Sequence, residues 1–308
     1  MKTNLLQPQK PRKNTFGAFV DSIIRLYEDH TDMPIMVNSI AAESGVEKRR
    51  LYDLFNVFTA CGVCAKSGTH SYVWKGLKNL KNYMSQIARN TELLVMQVNE
   101  SIACSGQFMG NEKHDQKCDM KKYPSHLGIN GEIHENCDMK YAEKIVDALF
   151  RLNEGPSIRS ITSKFLMYFF FTGNRIVNLR DCATLMGSDE KREKPILRRL
   201  YLVAFHLERI GLIKHSQCNA EYEFIGELES IIDETYQQLS ANNEYPAFSV
   251  RGLLNKIPKS YVTVIQKARE ESISRYLAEK RSSYFVEASI GASITNIEPL
   301  VPNDTIVV

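Results

Sequence analysis

Apolar positions recur at helical spacing in two widely separated stretches, and both stretches keep the same order of elements. Between 15 and 27, Phe16, Phe19, Ile23 and Leu26 form one stripe; between 157 and 169, Ile158, Ile161, Phe165 and Phe169 form its counterpart. Thr15 and Ser157 stand where hydroxyl side chains cap a helix start. A shorter helix follows each, Val37 to Ser44 before Gly45 and Leu179 to Met186 before Gly187. The step from Ile23 to Val37 is 14 residues, and so is the step from Phe165 to Leu179. A third helix carries Leu51, Leu54, Phe58 and Cys61 on one face, matched by Leu200, Val203, Leu207 and Ile210, and stops at Gly62 or Gly211.

The period then shortens. Val63-Cys64-Ala65 and Tyr72-Val73-Trp74-Lys75-Gly76 read as two strands around a polar turn, and Leu212-Ile213-Lys214 with Tyr222-Glu223-Phe224-Ile225-Gly226 repeat them. Three helices and a β-hairpin make a winged helix, a helix-turn-helix variant. The predicted fold class is mainly α with small β: two tandem winged-helix domains with a helical linker and a helical C-terminal region. The expected boundaries are a basic tail at 1–13, a first domain at 14–78, a linker at 79–155, a diverged second domain at 156–226 and a C-terminal region of unknown role at 227–308. In the linker, Leu77, Leu80, Met84, Ile87 and Leu94 predict a helix over 77–102. Residues 104–139 are polar and read as a mobile loop, and 141–152 as a short helix. Beyond Gly226, helices are predicted near 227–241 and 259–281. The second copy holds seven extra residues, Ser188 to Lys194, ending at Pro195, which suits the first turn of its third helix.

Charge sharpens this picture only modestly. Residues 1–81 hold 12 Lys/Arg against 7 Asp/Glu, and 141–226 hold 13 against 10, whereas the segments 82–140 and 227–308 are mildly acidic. Basic modules alternating with acidic connectors suit a phosphate-bearing partner. No apolar run reaches the ~20 residues needed to span a bilayer, and the first residues are polar and basic rather than signal-like. Seven cysteines without framework spacing point to a reducing compartment. Gln9-Lys10-Pro11-Arg12-Lys13 reads either as a nuclear import signal or as a solvated tail.

The candidate chemistry lies on the third helix of each repeat. Arg49 and Arg50 stand at the front of the first, Arg198 and Arg199 at the front of the second. A guanidinium fork matches guanine O6 and N7 in the major groove, at ~1–3 kcal/mol of discrimination per bidentate contact. Asp53, three and four residues further on, is placed to orient those guanidiniums. Asn56 shares their side of the helix. Tyr52 and Tyr201 either reach the nucleic acid or pack at the helix boundary. Lys48, Lys66 and Lys75 are candidate phosphate contacts, which position without specifying. Trp74 and Phe224 read as core. Cys61 and Cys64 have metal-like spacing but straddle a helix end and a strand start, so both read as core thiols. His114, Cys118, His134 and Cys137 lack a second CxxC, and no metal or cofactor is expected. No catalytic constellation or nucleotide-binding glycine loop is present, so an enzyme is not expected.

The run Arg49-Arg50-Leu51-Tyr52-Asp53-Leu54-Phe55-Asn56-Val57 resembles the recognition helix of the E2-factor/DP family of cell-cycle transcription factors, matching every specified position of Arg-Arg-x-Tyr-Asp-x-x-Asn-Val. With both repeats, the chain resembles the atypical branch, in which one polypeptide holds two DNA-binding domains. The resemblance implies a nuclear, double-stranded DNA-binding repressor that needs no DP subunit and reads a GC core beside a T run. The second copy departs from the motif: Leu202, Phe205 and His206 stand where the first has Asp53, Asn56 and Val57. Two other readings stay open. In one, the second domain is a protein scaffold with Phe205 exposed. In the other, the chain self-associates or takes a DP-like subunit through the 77–102 helix.

Overall fold

The computed structural model describes residues 15–106, 135–153, 155–241 and 259–294. The first repeat folds as α1 (Thr15–Glu28), β1 (Pro34–Met36), α2 (Val37–Ser44), α3 (Lys48–Ala60), β2 (Cys64–Lys66) and β3 (Ser71–Trp74). Its sheet runs β1-β3-β2, antiparallel throughout, with Ile35 opposite Tyr72 and Ala65 opposite Val73. The core is made by α3, whose Leu51, Leu54, Phe55, Val57 and Phe58 are fully buried. Each such side chain contributes about 1.5–3 kcal/mol of burial. Trp74 closes the sheet side edge-on against Phe58 and beside Tyr27. Gly62 ends α3 at φ 74°, and Gly211 does the same in the second repeat at φ 72°, a left-handed backbone in which a Cβ is disfavoured.

A 3₁₀ turn at Leu77–Asn79 leads into α4 (Leu80–Gly106). The helix α5 (Glu135–Ile145) runs on through a π turn at Val146–Phe150. The expected loop at 104–139 therefore falls mostly outside the described residues, with helix at both of its ends. The second repeat follows as α6 (Ile158–Thr172), β4 (Ile176–Asn178), α7 (Leu179–Met186), α8 (Glu190–Arg209), β5 (Ile213–His215) and β6 (Glu221–Phe224). Its sheet order, β4-β6-β5, reproduces that of the first copy, with Val177 opposite Tyr222. Ser157 caps α6 by accepting from the Ser160 N–H. Thr15 is already the first helical residue of α1 rather than its cap.

The insert in the second copy corrects an expectation. Helix α8 starts at Glu190, so Ser188 to Lys194 do not form a separate lead-in and Pro195 lies inside the helix, beyond its first turn. Asp189 caps the start by accepting from the Arg192 N–H at 2.9 Å, and Glu190 and Glu193 complement the helix dipole. Pro195, the sixth residue of the helix, offers no backbone donor to the Lys191 carbonyl.

The two last helices, α9 (Leu228–Ala241) and α10 (Lys259–Ile294), join α4 and α5 around α6. Met84, Ile87, Val95 and Met96 of α4 are thereby buried within the chain, against α6 and α9. At the centre of this layer Arg269 of α10 donates to both carboxylate oxygens of Glu92 on α4, at 2.7 and 3.0 Å, under the Phe171 ring. Tyr141 and Tyr236 flank the pair, and burial raises both phenols above their ordinary value. Among the described residues no helix is long and apolar enough to cross a membrane.

Candidate nucleic-acid interface

The equivalent helices of the two repeats pack crosswise: α3 lies on α6, α1 lies on α8, and α3 and α8 meet each other. Because α1 corresponds to α6 and α3 to α8, the same patch of each copy meets the other, as in the isologous interface of a two-fold dimer. Its centre is aromatic. Phe16 stacks on Phe205 at 6.2 Å between ring centroids and meets His206 edge-on at 5.9 Å. The Arg209 guanidinium lies over Phe205 and ion-pairs with Asp21 at 2.9 Å. Gly17 makes room for it: a Cβ there would sit 2.9 Å from an Arg209 nitrogen. Phe205, expected as an exposed docking residue, is instead half-buried against the first repeat. His206 is fully buried with neither ring nitrogen hydrogen-bonded, and burial pushes its pKa down to about 4.

This packing brings the predicted reading residues together. Lys48, Arg49 and Arg50 are exposed at the start of α3, and Arg198 is exposed in α8. Arg199 is half-buried and donates to the Pro156 carbonyl at 2.6 Å. Tyr201 is 37% exposed. Arg50 lies 5.6 Å from the Phe16 ring centroid and 3.7 Å from the Glu47 carboxylate. For Arg50 the acidic neighbour is thus Glu47 rather than the expected Asp53, whereas Arg49 stays within electrostatic reach of Asp53. Asp53 is partly buried between the repeats; burial raises its carboxyl pKa, while Arg49 and Arg199 pull it back down. One carboxylate therefore senses an arginine from each copy.

Other predicted residues have partners inside the fold. The Tyr52 hydroxyl hydrogen-bonds with Nδ1 of His70 in the wing turn at 2.5 Å, tying α3 to the hairpin. Asn56 accepts from the Tyr72 hydroxyl at 3.3 Å. Lys75 pairs with Asp32 at 2.5 Å, which leaves it less free for a phosphate, whereas Lys66 is exposed on the wing. Sequence reasoning missed Gly17, Asp21 and Arg209. Their only signal was charge or absence of a side chain on helix faces whose partner lay elsewhere in the chain.

Cys61 and Cys64 are buried at the end of α3 and the start of β2, and burial pushes both thiols far above their usual range. Among the described residues no group of three or more His, Cys, Asp or Glu side chains converges as a metal site. His114, Cys118 and His134 lie outside the described residues, and nothing is described of the Cys137 side chain.

Arg49 and Arg50 stand at the start of α3, whereas Arg198 and Arg199, expected at the front of their helix, lie mid-way along α8 because it begins at Glu190. An arginine pair on the third helix of each repeat, backed by a hairpin, is the frame of a groove-reading fold, and residues 12–76 match the family profile described as the E2-factor/DP family winged-helix DNA-binding domain. The chain carries an E2-factor/DP winged-helix domain. Its relatives include Transcription factor E2F7 of Xenopus tropicalis, 29% identical over 192 residues, which cover 59% of this chain and 21% of that protein. Transcription factor E2F8 of Mus musculus is 26% identical over 233 residues, covering 68% of this chain and 26% of that protein. The E2-factor-like transcription factor E2FF of Arabidopsis thaliana is 22% identical over 309 residues, covering 94% of this chain and 82% of that protein. The chain thus spans about a fifth to a quarter of the vertebrate relatives' length. A second winged helix in the same polypeptide is in keeping with the atypical branch that the sequence resembles.

Proposed function

We propose that this chain is a nuclear, sequence-specific double-stranded DNA-binding transcription regulator, a repressor of cell-cycle genes, that grips its site with its own two winged helices and needs no DP subunit. The reading is carried by the crosswise pairing of α1, α3, α6 and α8, which leaves Arg49, Arg50 and Arg198 exposed on neighbouring helices. Two such elements on one body read adjacent half-sites without a bimolecular assembly step.

The roles divide by chemistry. Arg49 and Arg50 supply the guanine contacts of a GC core. Arg198 and Arg199, with Tyr201, take the adjoining half-site with weaker base discrimination, since Leu202 rather than a carboxylate stands one turn beyond Arg198 and the Pro156 carbonyl occupies Arg199. Lys48 and Lys66 hold phosphates. Asp53, Asn56 and Tyr52 position the helix rather than touch DNA. A T run flanking the GC core is the expected context.

A reading in which the 77–102 helix recruits a second copy or a DP-like subunit has less support, because α4 already buries its apolar stripe against α6 and α9. The scaffold reading loses its docking residue to the Phe16–Phe205 stack. Binding-site selection on the intact chain tests the proposal. A GC-containing consensus should emerge and should be lost in the Arg49→Ala/Arg50→Ala variant. Selection that enriches no sequence, or an unchanged consensus in the variant, would refute it.

A further inference from the structure

The face of α8 that docks on the first repeat does not end where the docking ends. Leu202, Phe205 and Arg209 share one side of the helix; Phe205 and Arg209 meet the first repeat directly. Continuing that side toward the N-terminus at steps of three and four residues gives Arg198, Lys194 and Lys191. All three are exposed. Arg198 and Lys191 have no carboxylate within ion-pairing distance among the described residues. Lys194 has only the exposed Glu190 at 3.7 Å, a pairing worth little in water. From Lys191 to Arg198 the helix rises about 10 Å, roughly the axial rise of three nucleotides of one DNA strand.

The extension that carries the two lysines is fixed in place. Asp189 caps it, and Glu193, on its inner side, accepts from the Thr184 hydroxyl of α7 at 3.2 Å and from the Tyr284 hydroxyl of α10 at 2.8 Å. The inward carboxylate is thus consumed in anchoring while the cations face solvent. In the first repeat the equivalent helix begins at Lys48, one residue before its arginine pair, and has no such extension.

We propose that Lys191 and Lys194 form an additional phosphate-binding stripe, which lengthens the DNA contact of the second repeat by about two phosphates beyond its arginine pair. The proposal rests on the DNA-binding reading above. It gives the helical insert a job: the diverged repeat offsets weaker base reading with stronger backbone contact. Phosphate contacts raise affinity without raising sequence preference, and each is expected to add about 0.9 to the salt slope of binding.

The test uses the full chain, its Lys191→Gln/Lys194→Gln variant and the Arg49→Ala/Arg50→Ala variant, with fluorescence anisotropy on a selected and a scrambled duplex between about 50 and 200 mM salt. Glutamine keeps helix propensity at these exposed positions. The lysine variant should lose about two units of salt slope on both duplexes, so the wild-type advantage shrinks about tenfold across that range, with the preference for the selected duplex unchanged. The arginine variant should instead lose the preference. A lysine variant with the wild-type slope overturns the stripe while leaving the DNA-binding reading intact. A wild-type chain that shows no salt-dependent duplex binding overturns both.

Discussion

Arg49 and Arg198 hold equivalent places in the two repeats, and the residues around them decide how differently they act. Arg49 faces Asp53 across one helical turn, while the matching position beside Arg198 is Leu202. Arg49→Ala/Arg50→Ala should therefore reduce the preference for specific over scrambled duplex by about 100-fold or more, with only a small change in unfolding, because both side chains are exposed and their contacts with Phe16, Glu47 and Asp53 are weak ones. Arg198→Ala/Arg199→Ala should cost less preference, and thermal unfolding should also move, since Arg199 is bonded to the Pro156 carbonyl. Equal losses from the two variants would show that the second copy reads bases as well as the first. The arginine pairs were legible in the sequence because a nine-residue motif fixes their setting. The Glu47 and His70 contacts were not, since each depends on side-chain directions that a linear pattern leaves open.

Among elements, the interface helices carry the clearest pH dependence. His206 has its pKa lowered from 6.5 to about 4 by burial, so the folded chain holds a neutral imidazole. Between these values the unfolded chain binds a proton that the folded chain does not. Stability from this group is full above pH 6.5 and is lost as pH falls toward 4, by up to about 3 kcal/mol. Replacing it with an apolar side chain, His206→Leu, should flatten the acid side of the stability profile relative to wild type in denaturant titrations; parallel profiles would remove the histidine from the account. The buried Arg269–Glu92 pair makes a second case. Arg269→Met strands the Glu92 carboxylate and should cost about 3–5 kcal/mol, whereas Arg269→Met with Glu92→Leu should recover much of it. Full loss in the double variant would mean the pair contributes more than mutual neutralisation. Such long-range features escape a sequence reading: Glu92 and Arg269 lie 177 residues apart. The strands Pro34–Met36 and Ile176–Asn178 escaped for a different reason, being three residues long with one buried side chain each. The α8 extension had a readable signal in Asp189 followed by Glu190, but Pro195 is a stronger local cue for a helix start and pointed to the wrong turn.

For the whole molecule, the helices outside the two repeats do more than connect them. α4, α5, α9 and α10 surround α6, and α6 in turn packs on α3, so a continuous apolar core runs from the C-terminal helix to the first reading helix. The repeat itself was visible in the sequence because both copies kept the apolar stripes that build a winged helix. How the copies face each other was not, because Phe16, Phe205 and Arg209 look like ordinary surface-stripe residues until their partners are seen. The most direct test of one chain serving as its own pair is the mass of its DNA complex, measured by sedimentation equilibrium on the purified chain with a selected duplex. One chain bound per duplex, with no other protein added, is the expected result. Two chains per duplex, or binding only after a DP-like subunit is supplied, would contradict it.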